Sequence, residues 1–135
     1  MDWKHFESEL EILSCQIDYV PDVIVGVVRG GVVPARLLVS RLGVHDMYCV
    51  SVEKEGGERK VKSEIMSDLL NKSVLLVEDM LETGRSLIVA KKYLEGKGAC
   101  VKTACLYVLP QAEFVPDFFL RRTKEVVRFP WELGI

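Results

Sequence analysis

The sequence predicts a single-domain α/β fold in which a mainly parallel sheet carries helices on both faces, in a Rossmann-like three-layer arrangement. Two observations carry this prediction. The β-branched apolar runs Val23–Val28 and Val74–Val77 are continuous rather than alternating, which is typical of strands that are covered on both faces. Each run ends in a polar turn containing glycine, and a stretch with helical spacing of apolar residues follows. Strands that alternate with helices in this way form parallel sheets through right-handed crossovers.

Composition fits one globular domain and argues against binding by bulk charge. The chain has 135 residues, 49% of them hydrophobic and 28% charged, with a formal net charge of -2. We therefore expect neither a nucleic-acid partner nor a membrane partner. The four cysteines lack metal-ligand spacing, so we expect them to be reduced, buried and apolar in role. Charges occupy the first residues, where a signal peptide has an apolar run, and this predicts a cytoplasmic location.

Two helices are predicted in the first third of the chain. The first spans about residues 2–16, because apolar side chains recur there at steps of three and four, namely Trp3, Phe6, Leu10 and Leu13. The second begins near Pro34, which suits a first helical turn, and runs to about Leu42, where Gly43 is a natural stop.

The remaining elements follow from the same patterns. Further strands are expected at 47–52 and 99–109, with a short one at Val126–Val127, and a helix is expected to run to about Leu94. Residues 53–62 are too charged and too rich in glycine to pack, so we expect a mobile loop there.

The polar turn after the second buried strand is the clearest candidate site. Glu78 and Asp79 end that strand, and a loop with Thr83, Gly84 and Ser86 leads into the following helix. Ligands of parallel α/β sheets bind at the carboxyl ends of strands, and a helix N-terminus with added hydroxyls is a phosphate cradle. The two carboxylates suit sugar hydroxyls or a divalent cation that bridges to a pyrophosphate. From these residues alone an ordinary helix cap, with Thr83 as the N-cap residue, stays open as the alternative.

Residues 74–87, VLLVEDMLETGRSL, closely resemble the signature with which type I phosphoribosyltransferases bind 5-phosphoribosyl-1-pyrophosphate (PRPP). Upstream, Arg29-Gly30-Gly31 resembles the pyrophosphate loop of the same family, and two motifs at the expected separation are far more specific than one. With the polar loop and the Phe-Pro-Trp-Glu ending, the resemblance covers nearly the whole chain and is nearest to the xanthine-guanine (6-oxopurine) phosphoribosyltransferases. It implies the type I phosphoribosyltransferase fold as one domain over 1–135, with a mobile loop at about 53–62 and a C-terminal hood at about 110–135.

The resemblance also implies roles for individual residues. The PRPP-binding set would be Arg29, Gly30, Gly31, Glu78, Asp79, Glu82, Thr83, Gly84, Arg85 and Ser86. Within it, the two acids 78 and 79 would hold the ribose and, through water or PRPP, a Mg²⁺ ion. Residues 83–86 would wrap the 5′-phosphate, while Arg29 and the N–H groups of the two glycines after it would hold pyrophosphate. The catalytic residues would be Glu82, Arg29 and Asp79, and positive charge from the flexible loop would come from Lys54, Arg59 and Lys60. A non-proline cis peptide would fall near Val28-Arg29.

The nucleobase end departs from the family pattern. Leu109 stands where 6-oxopurine enzymes usually carry a lysine that donates to the purine oxygen, and Val126, followed by Val127, stands where an aromatic ring usually stacks on the purine. Glu132 matches the acid that reads the amino edge of the base. Glu82 stands where the family places an aspartate that accepts the proton of the incoming base.

The resulting expectation is a Mg²⁺-dependent enzyme that converts PRPP and a nucleobase, foremost a 6-oxopurine, into a nucleoside monophosphate and pyrophosphate. Its partners would be PRPP and the base, and its assembly a homodimer. Two alternatives stay open: a regulatory protein that binds PRPP or nucleotides with little transfer, and a phosphoribosyltransferase for a different acceptor base.

Overall fold

A computed structural model describes residues 1–132. Within them a seven-stranded sheet has helices on both faces, which confirms the predicted α/β class. In chain order the elements are α1 (Trp3–Gln16), β1 (Val23–Val28), α2 (Val32–Leu42), β2 (Asp46–Glu55), β3 (Glu58–Val61), β4 (Ser73–Val77), β5 (Met80–Leu81), α3 (Arg85–Gly96), β6 (Cys100–Val108) and β7 (Phe118–Arg122). No helix in this part of the chain is both long enough and apolar enough to span a bilayer.

The sheet brings the predicted site loops to one edge. β1 lies between β2 and β4 and is parallel to both, and β6 continues the parallel order beyond β4. β5 pairs with β6 on the same side as β4, β7 pairs with the other side of β6, and β3 is antiparallel to β2 at the opposite end of the sheet. The carboxyl ends of β1 and β4 are therefore neighbours, and the loops that follow them meet.

Two cores, one on each face, explain the continuous apolar strands. Successive side chains of a strand point to opposite faces, so Ile24 packs with α1 and α2 while Val23 and Val25 pack with α3. The first core takes Phe6, Leu10 and Leu13 from α1, which confirms most of the predicted stripe. Trp3 is the exception, because 49% of it is exposed.

The segment predicted to be an irregular loop is instead largely a β-hairpin. β2 continues to Glu55, Gly56 and Gly57 form the turn, and β3 returns antiparallel to β2. Both glycines have positive φ, 58° and 85°, as a tight hairpin turn that follows the twist of its strands requires. The loop prediction was wrong because charged side chains are tolerated on an exposed edge ribbon, where they need no burial. Mobility of this hairpin stays a prediction.

Two further predictions are corrected by the structure. The strand of the C-terminal segment is β7, and Val126–Val127 has no strand pairing, since Val126 is 60% exposed and lies off the sheet. Cys15 and Cys100 are exposed, so the expectation that every cysteine is buried holds for Cys105 and fails for these two. Of the predicted hood, residues 133–135 lie outside the described part of the chain.

Candidate active site

A cleft of about 820 Å³ opens at the carboxyl edge of the sheet. Residues 29–30 after β1 and residues 78–87 after β4 form two of its walls. Arg59 of the hairpin reaches it from one side, and Arg128, Trp131 and Glu132 line it from the C-terminal hood. The structure thus brings together the two motifs that the sequence separates by almost fifty residues.

The turn after β1 places Arg29 and Gly30 at the cleft but not Gly31. The Val28-Arg29 peptide is cis, as the resemblance implies, and Arg29 is exposed. Gly31 is buried, and its N–H donates to the carbonyl of Val27 at 2.9 Å. That N–H is therefore not available to a pyrophosphate, and the prediction for Gly31 is corrected: this glycine shapes the turn and is the N-cap residue of α2.

Glu78 and Asp79 form a half-buried acidic pair. The N–H of Asp79 donates to Oε1 of Glu78 at 3.1 Å, and Oδ1 of Asp79 accepts from the N–H of Met80 at 2.7 Å. Burial raises the pKa of both carboxyls, and their mutual repulsion adds to the shift at Glu78. Glu132 across the cleft raises the pKa of Asp79 further. Within residues 1–132 no basic side chain forms an ion pair with either acid, so the pair is poised for a cation that arrives with a ligand.

The loop after β5 leads into the N-terminus of α3 at the cleft. Gly84 is the N-cap residue with a φ of 85°, and α3 has no side-chain cap. The helix-cap alternative with Thr83 as N-cap is therefore wrong; Oγ1 of Thr83 instead accepts from the N–H of Arg85 at 3.3 Å. An open helix N-terminus offers free N–H groups and a positive dipole end to an anion.

Of the three basic residues predicted from the flexible segment, Arg59 lines the cleft and Lys54 and Lys60 do not. Lys54 is the cross-strand partner of Arg59, so the two lie on the same face of the hairpin. Lys60 lies on the opposite face and is exposed. Arg59 is therefore the one of the three that lines the cleft, and contact of Lys54 or Lys60 with PRPP after loop closure stays a prediction.

At the nucleobase end, Glu132 lines the cleft as predicted, whereas Leu109, Val126 and Val127 do not. Leu109 is 1% exposed, and its N–H donates to the carbonyl of Leu81 at 2.9 Å, which fixes it within the core. Leu109 is therefore corrected as a base contact, and contact of Val126 or Val127 with a base stays a prediction. The sequence analysis did not predict that Arg128 lines the cleft. Its position just before the Phe-Pro-Trp-Glu ending could have indicated this.

Glu82 is exposed and lines the cleft next to the phosphate loop, where a carboxylate can reach a bound ligand. The described residues contain no cluster of three or more His, Cys, Asp or Glu side chains that would hold a metal ion by themselves. The paired carboxylates of Glu78 and Asp79 instead fit a cation that brings most of its own ligands, such as Mg²⁺ on a pyrophosphate.

Comparison with known proteins decides the family. Residues 4–135 match the phosphoribosyl transferase domain. The chain belongs to the phosphoribosyltransferase family. A purine phosphoribosyltransferase from Pyrococcus horikoshii Ot3 has a similar structure, with a TM-score of 0.92 and 33% identity over 98% of this chain and 92% of that one. A xanthine-guanine-hypoxanthine phosphoribosyltransferase from Helicobacter pylori gives a TM-score of 0.85 at 25% identity, over 98% of this chain and 91% of that one.

Sequence relatives are phosphoribosyltransferases as well. The hypoxanthine-guanine phosphoribosyltransferase of Lactococcus lactis subsp. lactis (strain IL1403) is 30% identical over 118 residues, which cover 80% of this chain and 64% of that enzyme. This chain therefore spans a little under two thirds of the length of the Lactococcus enzyme. The predicted family and fold are confirmed.

Proposed function

We propose that this phosphoribosyltransferase transfers the phosphoribosyl group of PRPP to a purine base in a Mg²⁺-dependent reaction, giving a nucleoside monophosphate and pyrophosphate. The observation that carries the proposal is the shared cleft in which the acidic pair, the open N-terminus of α3 and Arg29 face the same space. Relatives named as purine, hypoxanthine-guanine and xanthine-guanine phosphoribosyltransferases support a purine acceptor.

Each wall of the cleft has a task in this reaction. The N–H groups at the start of α3, with the hydroxyls of Thr83 and Ser86, bind the 5′-phosphate. Glu78 and Asp79 orient the ribose by accepting hydrogen bonds from its hydroxyls. The chemistry that Mg²⁺ supplies when bound is neutralisation of charge on the pyrophosphate, and the acidic pair would hold it through water or PRPP.

Displacement of pyrophosphate from the anomeric carbon by a ring nitrogen requires charge compensation on both sides of that carbon. Arg29, exposed at the cleft, stabilises negative charge as it develops on the leaving pyrophosphate. Glu82 accepts the proton that the base nitrogen loses. Closure of the hairpin brings Arg59 over the bound PRPP. Closure also excludes water, which would otherwise hydrolyse PRPP at the anomeric carbon. A homodimer and a cytoplasmic location remain predictions.

The experiment is pyrophosphate release from PRPP and Mg²⁺ with hypoxanthine, xanthine, guanine, adenine, orotate and uracil, with PRPP binding measured by calorimetry on the same samples. We expect release with an oxopurine, and loss of release in Glu82→Gln with PRPP binding retained. PRPP binding without release from any base would overturn the transferase and favour a regulatory PRPP-binding protein. Release with a non-purine alone would instead assign a different acceptor.

A further inference from the structure

The nucleobase end of the cleft carries one guanidinium that the proposed reaction leaves without a task, that of Arg128. Similar proteins are named as purine phosphoribosyltransferases, and Leu109, which stands where 6-oxopurine enzymes usually have a lysine, is buried and does not line the cleft. We propose that Arg128 recognises the carbonyl oxygen of an oxopurine base and so determines which base is accepted. This inference rests on the proposed function, because it concerns the acceptor of the same reaction.

The backbone that carries Arg128 is held in place by the core. Phe129 is 2% exposed and stacks on Tyr107, with ring centroids 5.9 Å apart at 17°, and on Trp131, with centroids 4.8 Å apart at 6°. The amino group of Met1 donates to the carbonyl of Arg128 at 3.3 Å. The main chain around residue 128 is therefore anchored, and the exposed guanidinium is the part that can adjust to a ligand.

The charge balance at the cleft leaves this guanidinium available. Arg85, in the phosphate loop, is already paired with Glu113 at 2.7 Å. In the described part of the chain, Arg128 has no carboxylate within ion-pair distance and makes no side-chain hydrogen bond. Arg29 belongs to the pyrophosphate loop and Arg59 to the hairpin, so Arg128 supplies the positive charge of the hood.

Glu132 completes a donor and acceptor pair on the same short segment. Its Oε2 accepts from the N–H of Phe129 at 3.2 Å, which leaves Oε1 for a ligand. An oxopurine presents a carbonyl oxygen beside a ring N–H, so one edge offers an acceptor to Arg128 and a donor to Glu132. Arginine donates well to the O6 and N7 atoms of such a base. An aminopurine presents an amino donor in place of O6, so its amino group and the guanidinium of Arg128 would both be donors and could not pair.

The test compares the affinity of GMP with that of ribose 5-phosphate, both measured by calorimetry on the whole protein. Their ratio isolates the contribution of the base, and it requires no turnover. In Arg128→Ala we expect GMP to bind about 10- to 100-fold more weakly, the range for one charge-assisted hydrogen bond, while ribose 5-phosphate binds as before. Arg128→Lys should recover part of the loss. The matched control is Lys124→Ala, because Lys124 is an exposed cation on the same segment but outside the cleft. This substitution should change the affinity of neither GMP nor ribose 5-phosphate.

In the same variants, rates at saturating PRPP should show a raised KM for guanine and hypoxanthine, and the preference for these bases over adenine should shrink. If Arg128→Ala lowered the affinities of GMP and ribose 5-phosphate by the same factor, Arg128 would be a phosphate contact and the proposal would be overturned. Unchanged GMP affinity would overturn it as well. Failure of the proposed transfer is seen separately, as wild-type protein that binds GMP but releases no pyrophosphate.

Discussion

Glu113 accepts a hydrogen bond from Nε of Arg85 at 2.9 Å, and the same Oε1 forms an ion pair with Nη2 at 2.7 Å. Its N–H also donates to the carbonyl of Thr83 at 2.8 Å, so one residue contacts the proposed phosphate loop through both its main chain and its side chain. The hydrogen bond and the positive charge of Arg85 hold the pKa of Glu113 below its ordinary value, and the charge of Arg59 lowers it further.

Removing this carboxylate should strengthen anion binding. In Glu113→Gln, Arg85 keeps its position but loses its competing negative charge, so ribose 5-phosphate should bind about 2- to 5-fold more tightly at low ionic strength. This gain in affinity should decrease as salt is added, because salt screens the charges. Tm should barely change, because exposed ion pairs contribute little to stability. Glu95→Gln, an exposed acid on α3 away from the cleft, is the control. Weaker binding in Glu113→Gln would instead show that the carboxylate holds Arg85 in place for the phosphate.

The acidic pair should cost stability in the absence of ligand. Burial raises the pKa of Asp79 to about 6, so keeping this carboxyl ionised in the folded state at neutral pH costs folding free energy. In Asp79→Asn the amide oxygen can still accept from the N–H of Met80, and we expect the free energy of unfolding at pH 7 to rise by about 1–2 kcal/mol while PRPP affinity falls.

The sign of the pH dependence follows from the direction of that pKa. A carboxyl whose pKa is raised on folding destabilises the protein above its unfolded pKa, and this cost disappears as the pH falls and the carboxyl is protonated. The advantage of Asp79→Asn should therefore be largest near neutral pH and shrink towards about pH 4. Urea unfolding at several pH values measures it, with the exposed Glu82→Gln as the control for stability. An advantage independent of pH would contradict the explanation by charge burial.

The two glycines after Arg29 should respond differently to a methyl group. A Cβ on Gly31 would collide with the carbonyl oxygen of Val77 and lie 2.9 Å from the backbone nitrogen of Val27. Because backbone atoms cannot move aside cheaply, Gly31→Ala should lower the free energy of unfolding by about 3 kcal/mol or more. A Cβ on Gly30 would lie 2.5 Å from Oδ2 of Asp79, a side-chain atom that can rotate away.

Gly30→Ala should therefore retain more stability than Gly31→Ala but bind PRPP poorly, since it displaces Asp79. Chemical unfolding and calorimetry with PRPP and Mg²⁺ separate the two effects. If Gly30→Ala bound PRPP like the wild type, neither the loop at 29–30 nor the position of Asp79 would matter for the ligand.

Local sequence was enough to predict which residues line one end of the cleft. Asp79 and Gly84 lie in one continuous motif, and both strand ends that frame the cleft follow from uninterrupted apolar runs. The hydrogen bonding of Gly31 was not visible in this way, because its N–H is used by the turn itself. A motif states which residues are present, whereas the pairing of each N–H depends on how the turn closes.

The nucleobase end was harder to predict because it depends on contacts distant in sequence. Arg128 reaches the cleft only because Phe129 is packed against Phe6 of α1, with ring centroids 6.4 Å apart, and against Tyr107 of β6. Leu109 was expected at the base by position alone, yet its side chain is buried. The hairpin was missed for a different reason: charge composition suggested a loop, although an exposed ribbon tolerates charge.

A buried carboxylate of α1 supports the hood through Tyr107. Glu9 is 3% exposed; it accepts from the hydroxyl of Tyr107 at 3.0 Å and from Nη2 of Arg121 at 2.7 Å. Tyr107 in turn stacks on Phe129. Removing the guanidinium leaves a buried charge with much less compensation, so Arg121→Ala should lower the free energy of unfolding by about 1–3 kcal/mol.

The neighbouring Arg122→Ala is the matched control, because Arg122 lies over the ring of Phe119 and forms no ion pair within residues 1–132. It should change the free energy of unfolding by less than about 1 kcal/mol. If the loss in Arg121→Ala reflects an uncompensated charge, adding Glu9→Gln should restore part of the stability, since a neutral amide can still accept from Tyr107. A double variant less stable than Arg121→Ala would show that the packing of the arginine stem, rather than its charge, supports this part of the fold.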